Sequence, residues 1–271
     1  MRARASGAMS PTRPGERSAR RHGRAGAAAS SADGRRRTLK RVLKLLERAY
    51  GPRRWRCSGK PVPVLVGTIL SQNTSSANSS AGYRRLWRRF RSWNAVADAT
   101  VTEIAKCIRI SGLSRIKAPR IRAILRRIRQ DRGRISLKFL GEMAAKEAYE
   151  YLMRFEGVGP KTALCVLLFS LGMPVFPVDT HIFRISRRLG LLPARTSPGK
   201  AHEVLEPLIA PEDRYAMHVL LITHGRRTCR ARNPRCAWCD LLALCPYGRL
   251  AGRARPGAKK QARQGQTGPA R

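Results

Sequence analysis

The sequence predicts an all-helical protein, and three observations carry that expectation. Apolar residues recur at the spacing of one buried helix face in segment after segment. No segment sustains the two-residue alternation of a half-buried strand. Glycine, proline and serine fall between the periodic segments, where helices start and stop.

Taken in order, residues 1–37 are rich in Arg, Ala, Ser and Gly and nearly devoid of aromatic and β-branched residues. Such a stretch has too little apolar surface to offset the entropy of ordering, so it reads as a disordered basic tail. Thr38 to Tyr50 carries Leu39, Val42, Leu45 and Leu46 at helical spacing and stops at Gly51-Pro52. Val62 to Leu70 is an apolar, buried helix, followed by the polar run Ser71 to Ser76. Tyr83 to Phe90 and Trp93 to Ala97 set aromatics among arginines; Trp87 and Phe90 share a face and Arg84, Arg85, Arg88 and Arg89 form the solvated one. Val101 to Ile110 ends at Ser111-Gly112, and a basic helix then runs from Leu113 to about Arg129. Met143 to Phe155, Pro160 to Leu171, Asp179 to Leu189, Ala201 to Ile209 and Glu212 to His224 complete the helices, and residues 249–271 read as a second basic tail.

Charge narrows the function classes. Fifty-six Lys and Arg against 16 Asp and Glu give a formal charge of +40 in 271 residues. The first 37 residues hold ten arginines against Glu16 and Asp33, and residues 249–271 hold seven cations and no acid, so +25 remains on the body between them. A body so basic repels itself and points to a polyanionic partner. That partner is nucleic acid rather than a membrane, because no apolar run reaches the ~20 residues of a spanning helix.

One stretch concentrates the chemistry. Gly157-Val158-Gly159 is a tight hairpin, and Pro160 is a favourable first helical residue because it has no amide hydrogen to leave unpaired. The hairpin and the new helix aim backbone amides and a positive dipole end at one spot, which suits a phosphate. Lys161 stands in the first turn, where those charges favour its nucleophilic, uncharged form. Asp179, eighteen residues further on, opens the next helix as a cap or as the carboxylate partner of the amine. The short, neutral hydrogen-bonding side chains around Gln72 suit a space vacated by a base, and Leu113 beside a glycine turn suits an apolar wedge between base steps.

Cys229, Cys236, Cys239 and Cys245 follow the spacing C-x6-C-x2-C-x5-C, a compact ligand set rather than a disulfide framework. The spacing alone leaves tetrahedral zinc and an iron-sulfur cluster open. Arg230, Arg232 and Arg235 lie on the loop between the first two ligands, where a bound group would hold them rigid against a phosphate backbone. Cys57, Cys107 and Cys165 read as packing residues.

The hairpin with Lys161, the string Val178-Asp179-Thr180-His181-Ile182-Phe183-Arg184 and the four cysteines resemble the endonuclease III branch of the helix-hairpin-helix DNA glycosylases over about residues 38–247. The resemblance implies two helical domains: a six-helix barrel carrying the helix-hairpin-helix over residues 62–176, and a discontinuous iron-sulfur cluster domain over residues 38–61 and 177–248. It implies a 4Fe-4S cluster on the four cysteines, with zinc as the alternative. By the same resemblance Gln72 and Leu113 enter the gap left by an extruded nucleotide, and Gly157, Val158 and Gly159 meet the DNA backbone. Lys161 and Asp179 are then the catalytic pair of a bifunctional glycosylase and abasic-site lyase in base excision repair, removing oxidised pyrimidines from duplex DNA as a monomer. Alternatives are a mismatch glycosylase for thymine, uracil or adenine on the same scaffold, and a non-catalytic DNA-binding module. A bacterial cytoplasm and nucleoid is the expected location, with an organelle reached through the N-terminal tail as the alternative. Two departures stand out: Glu156 replaces the expected Pro before the hairpin, and Ser75 or Ser76 replaces an expected acid.

Overall fold

The computed structural model describes residues 31–253, which hold twelve α-helices and no strand. They are α1 (Ala32–Tyr50), α2 (Pro61–Leu70), α3 (Ser76–Phe90), α4 (Trp93–Asp98), α5 (Val101–Ile108) and α6 (Ser114–Arg132), then α7 (Ala145–Met153), α8 (Pro160–Leu171), α9 (Thr180–Arg188), α10 (Ala201–Leu205), α11 (Arg214–Arg227) and α12 (Pro246–Arg253). Of the tails assigned to residues 1–37 and 249–271, residues 1–30 and 254–271 lie outside the described residues.

The helices gather around two separate apolar cores. The first takes Leu65 and Ile69 from α2, Leu86 from α3, Ile104 from α5, Ile121 and Leu125 from α6, Leu152 from α7 and Leu167 from α8. The second joins Leu39, Val42 and Leu46 of α1 to Phe176, Ile182 and Ile185, and onward to Leu205, Leu220 and Leu241. Each fully buried Leu or Ile contributes about 1.5–3 kcal/mol. The second core is therefore closed by a helix from the far end of the chain, and the two cores change over between Val175 and Phe176.

Local chemistry accounts for the helix ends. Ser75, Ser92 and Thr100 accept from the amides of Asn78, Ala95 and Glu103, and the Glu103 carboxylate returns a bond to the Thr100 amide. Helix α8 is apolar on nearly every side and buried from Thr162 to Leu168, so it serves as the central post against which α2 packs.

Two boundaries differ from the sequence reading. Helix α1 begins at Ala32, not Thr38, because Ser31 accepts from the Gly34 amide while Arg35 and Arg36 reach the carbonyls of Leu191 and Pro207. Those anchors are distant in sequence, and without them the stretch reads as tail. At the other end α12 carries the fold past residue 249 to Arg253. Cys57 is also no packing residue: it is exposed, its one thiol hydrogen within reach of the carbonyl of either Gly59 or Ser170.

Candidate active site

Four helix starts open into one cleft of about 850 Å³. It is lined by Ser71 to Ser76, by Gly159 to Thr162 at the start of α8, by Val178 to His181 at the start of α9, and by Pro198, Gly199 and His202 leading into and through the start of α10. Arg226 reaches in from α11 and donates to the Ser76 hydroxyl at 3.1 Å, linking the two halves across the mouth.

The hairpin is built as its residues require. Gly157 has φ +82°, and an added Cβ would fall 2.6 Å from Arg120 Cδ, so both backbone and space call for glycine. Val158 is buried and its amide donates to Phe155 O at 3.0 Å. Val158 thus anchors the turn, and among the described residues the amides of Gly157 and Gly159 have no backbone partner. Glu156 is exposed and stands 3.8 Å from Arg120 Nε, so the unexpected carboxylate faces a guanidinium.

Lys161 and Asp179 line the same cleft and share two buried neighbours. Burial pushes the Cys165 thiol up, while the Lys161 amine, in hydrogen-bonding reach of that sulfur, opposes the shift. His218, also buried, donates Nδ1–H to Pro177 O at 2.9 Å. Burial depresses it to about 4, with Asp179 opposing and Lys161 reinforcing, so the imidazole is neutral at pH 7. Asp179 caps α9: its Oδ1 accepts from the Ile182 amide at 2.8 Å. The capping reading of this residue therefore holds, and the same carboxylate lies in the cleft.

Gln72 and Leu113 sit at neighbouring loops. The Gln72 amide nitrogen donates to Gly157 O and Thr162 Oγ1, both at 3.3 Å, so it is parked on the hairpin. Leu113 is 47 % exposed with φ +51°, a strained conformation for a γ-branched residue that turns an apolar side chain to solvent. Arg230, Arg232 and Arg235 are exposed, apart from the cleft lining, on the cysteine loop.

Cys229, Cys236, Cys239 and Cys245 surround a single small pocket. Arg188 Nη1 donates to Cys229 Sγ at 3.2 Å and the Gly248 amide to Cys245 Sγ at 3.3 Å, the donors that thiolates accept from. Burial pushes the Cys239 thiol up to about 11, so a thiolate there needs a cationic centre beside it. Among the described residues no three ligand side chains converge on one point closely enough for a single ion.

Sequence reasoning missed Arg226 and His218. Arg226 lay in a run of cations with nothing to distinguish it. His218 had a signal, since it sits between Met217 and Leu220 on the apolar side of α11.

A glycine hairpin feeding a helix whose first turn carries a lysine, with a carboxylate in the same cleft of a strongly basic body, defines a helix-hairpin-helix protein equipped for chemistry on nucleic acid. Residues 66–211 match the HhH-GPD superfamily base excision DNA repair proteins, and the chain belongs to that family. Endonuclease III of Thermotoga maritima is 34% identical over 194 residues, 71% of this chain and 86% of that protein. A candidate DNA glycosylase of Arabidopsis thaliana is 40% identical over 162 residues, and the match spans 60% of this chain and 55% of that protein. Among solved structures, a non-covalent endonuclease III–DNA complex superposes with a TM-score of 0.69 at 28% identity, covering 80% of this chain and 98% of that one.

Proposed function

We propose that this protein is a bifunctional DNA glycosylase and abasic-site lyase that removes oxidised pyrimidines from duplex DNA. The observation that carries the reading is Lys161 at the start of α8 sharing its cleft and its buried neighbours with Asp179. A solved endonuclease III relative, trapped as a covalent intermediate with DNA, superposes with a TM-score of 0.69 at 28% identity and supports it.

Gly157 and Gly159 hold a backbone phosphate with their amides. Gln72 leaves the hairpin and, with Leu113, fills the gap as the damaged nucleotide swings into the cleft. The Lys161 amine attacks C1′ of the deoxyribose through its lone pair, the C1′–N bond breaks, and the base departs with its electron pair and takes up a proton from solvent. The nitrogen lone pair then opens the sugar ring: the C1′–O4′ bond breaks, O4′ takes up a proton, and a Schiff base joins the amine to C1′. A proton leaves C2′, the C2′–C3′ double bond forms, and the C3′–O bond breaks on the 3′ side of the site, the phosphate departing with the electron pair. Asp179 accepts the proton that Lys161 gives up and offsets positive charge developing on the sugar.

Cys229, Cys236, Cys239 and Cys245 hold a 4Fe-4S cluster in this reading. The four thiols line one pocket, and the resemblance of their spacing to the endonuclease III site favours an iron-sulfur cluster over zinc there. With a cluster bound to the four cysteines the loop would be held, so that Arg230, Arg232 and Arg235 would meet the DNA backbone without a large ordering cost. In this reading the chain divides into two domains, a barrel over 62–176 and a cluster domain over 38–61 and 177–248, with DNA in the cleft between; the two cores support that division, changing over one residue earlier, between Val175 and Phe176.

The test is borohydride trapping on duplexes carrying thymine glycol, dihydrouracil, an abasic site, uracil or mispaired thymine or adenine, with iron content and visible absorbance measured on the same preparation. A covalent adduct on the oxidised pyrimidines, absent in Lys161→Ala, is expected. An adduct that persists in Lys161→Ala rejects the assignment.

A further inference from the structure

Lys117, in the first turn of α6, is 1% exposed and lies outside the cleft. Its ammonium donates to three backbone carbonyls: Leu70 O at 2.9 Å, Gln72 O at 2.6 Å and Ser111 O at 2.8 Å. An ammonium has three N–H donors, and here each has an acceptor. Leu70 O belongs to the C-terminal end of α2, where the helix dipole also favours a cation. Gln72 is one of the two residues assigned to the vacated nucleotide's place, and Ser111 lies two residues before the other, Leu113.

The loops bearing Gln72 and Leu113 need such a tie. Asn73 has φ +52°, and Gly112 and Leu113 have φ +68° and +51°, so both loops are bent through the left-handed region next to their functional side chains. Ser111 is itself fully buried, its hydroxyl donating to Asn78 O and lying where a Cβ on Gly82 would come within 1.9 Å. A charge buried this deeply is costly unless it is fully hydrogen-bonded, and its partners here are the main chain of the two loops rather than a carboxylate.

We propose that Lys117 is a positioning residue that fixes Gln72 and Leu113 in one register, so that the two side chains enter the duplex as a unit. This rests on the proposed filling of the gap by Gln72 and Leu113, and it adds the element that couples them. The clamp acts on main chain, so it sets where the loops stand and leaves Gln72 free to leave the hairpin.

The experiment compares wild type with Lys117→Met, which keeps the stem and removes all three donors. Each binds an undamaged duplex and the same duplex carrying a tetrahydrofuran abasic analogue opposite 2-aminopurine. Phosphate contacts serve both duplexes, whereas plugging serves only the second. In Lys117→Met the preference for the analogue falls about tenfold and the 2-aminopurine signal falls with it, while affinity for undamaged duplex stays within about twofold. An unchanged preference overturns the inference, because a merely structural loss lowers both affinities together. Should Lys117→Met fail to fold, a cycle of Gln72→Ala and Leu113→Ala in the otherwise native chain decides: a coupling of about threefold or more supports the clamp, and independent effects overturn it. Wild type with no preference for the analogue speaks against the glycosylase reading itself, and the two failures stay distinct.

Discussion

Replacing Asp179 by Asn separates catalysis from capping. Asn and Asp are near-equal N-caps, so the Ile182 amide, 2.8 Å from Oδ1, keeps an oxygen acceptor. What is lost is a negative charge at a helix N-terminus, about 0.3–1 kcal/mol of stability. In a chain of this size that lowers Tm by no more than about 4 °C. A removed general base, by contrast, slows its step by about 10²–10⁴-fold, or roughly 3–5 kcal/mol of barrier. Asp179→Ala also strips the amide of its acceptor and costs about 0.5–2 kcal/mol more stability. The two variants should therefore tie in rate and differ in stability. Single-turnover incision with borohydride capture measures the first, and thermal unfolding the second. An Asn variant within about threefold of wild type, or rates ranking with the Tm values, would refute a catalytic Asp179.

Gly157→Ala places a Cβ at φ +82° and against Arg120, costing about 1–2 kcal/mol and weakening binding to every duplex alike; Tm and Kd at fixed salt test it, and an unaltered Kd removes the hairpin from the phosphate contact. His218 makes stability depend on pH. Its folded pKa of about 4 lies below the ordinary 6.5, so the unfolded chain binds the proton first, and the His218 contribution is complete above about pH 6.5 and declines as pH falls through about 4. The decline is on the order of 3 kcal/mol; urea unfolding across that window should be flatter in His218→Gln, and an identical slope would mean that another group controls it.

The helical class was legible because most core-facing helices, α1 and α5 among them, carry their apolar residues at helical period. The family motif was legible because its glycines, lysine and carboxylate lie in two short strings, and the structure brings both strings to one cleft. Chain-distant partners were not legible. Arg35 and Arg36 look like tail until the carbonyls of Leu191 and Pro207 are beside them. Val158 looks like part of an amide cradle until its own amide is seen to close the turn. Lys117 did carry a signal: it stands on the stripe of Ile121, Ile124 and Ile128, the buried face of α6, among arginines that are mostly exposed or half-buried. A lysine at a core position of a basic helix needs acceptors, and only the fold supplies them.

The cleft's electrostatics follow from the same geometry. Helices α3 and α8 present their N-terminal ends to it, and α9 does so behind the one carboxylate among its described lining residues, Asp179. Anions are drawn in by fixed backbone dipoles as well as by mobile side chains. A carboxylate placed there is oriented by the amide it caps and lines the cleft. Capping and proton acceptance thus make the same demand on Asp179, an oriented and charged oxygen. That is why a residue type common at helix starts could be recruited for chemistry without a change of local structure.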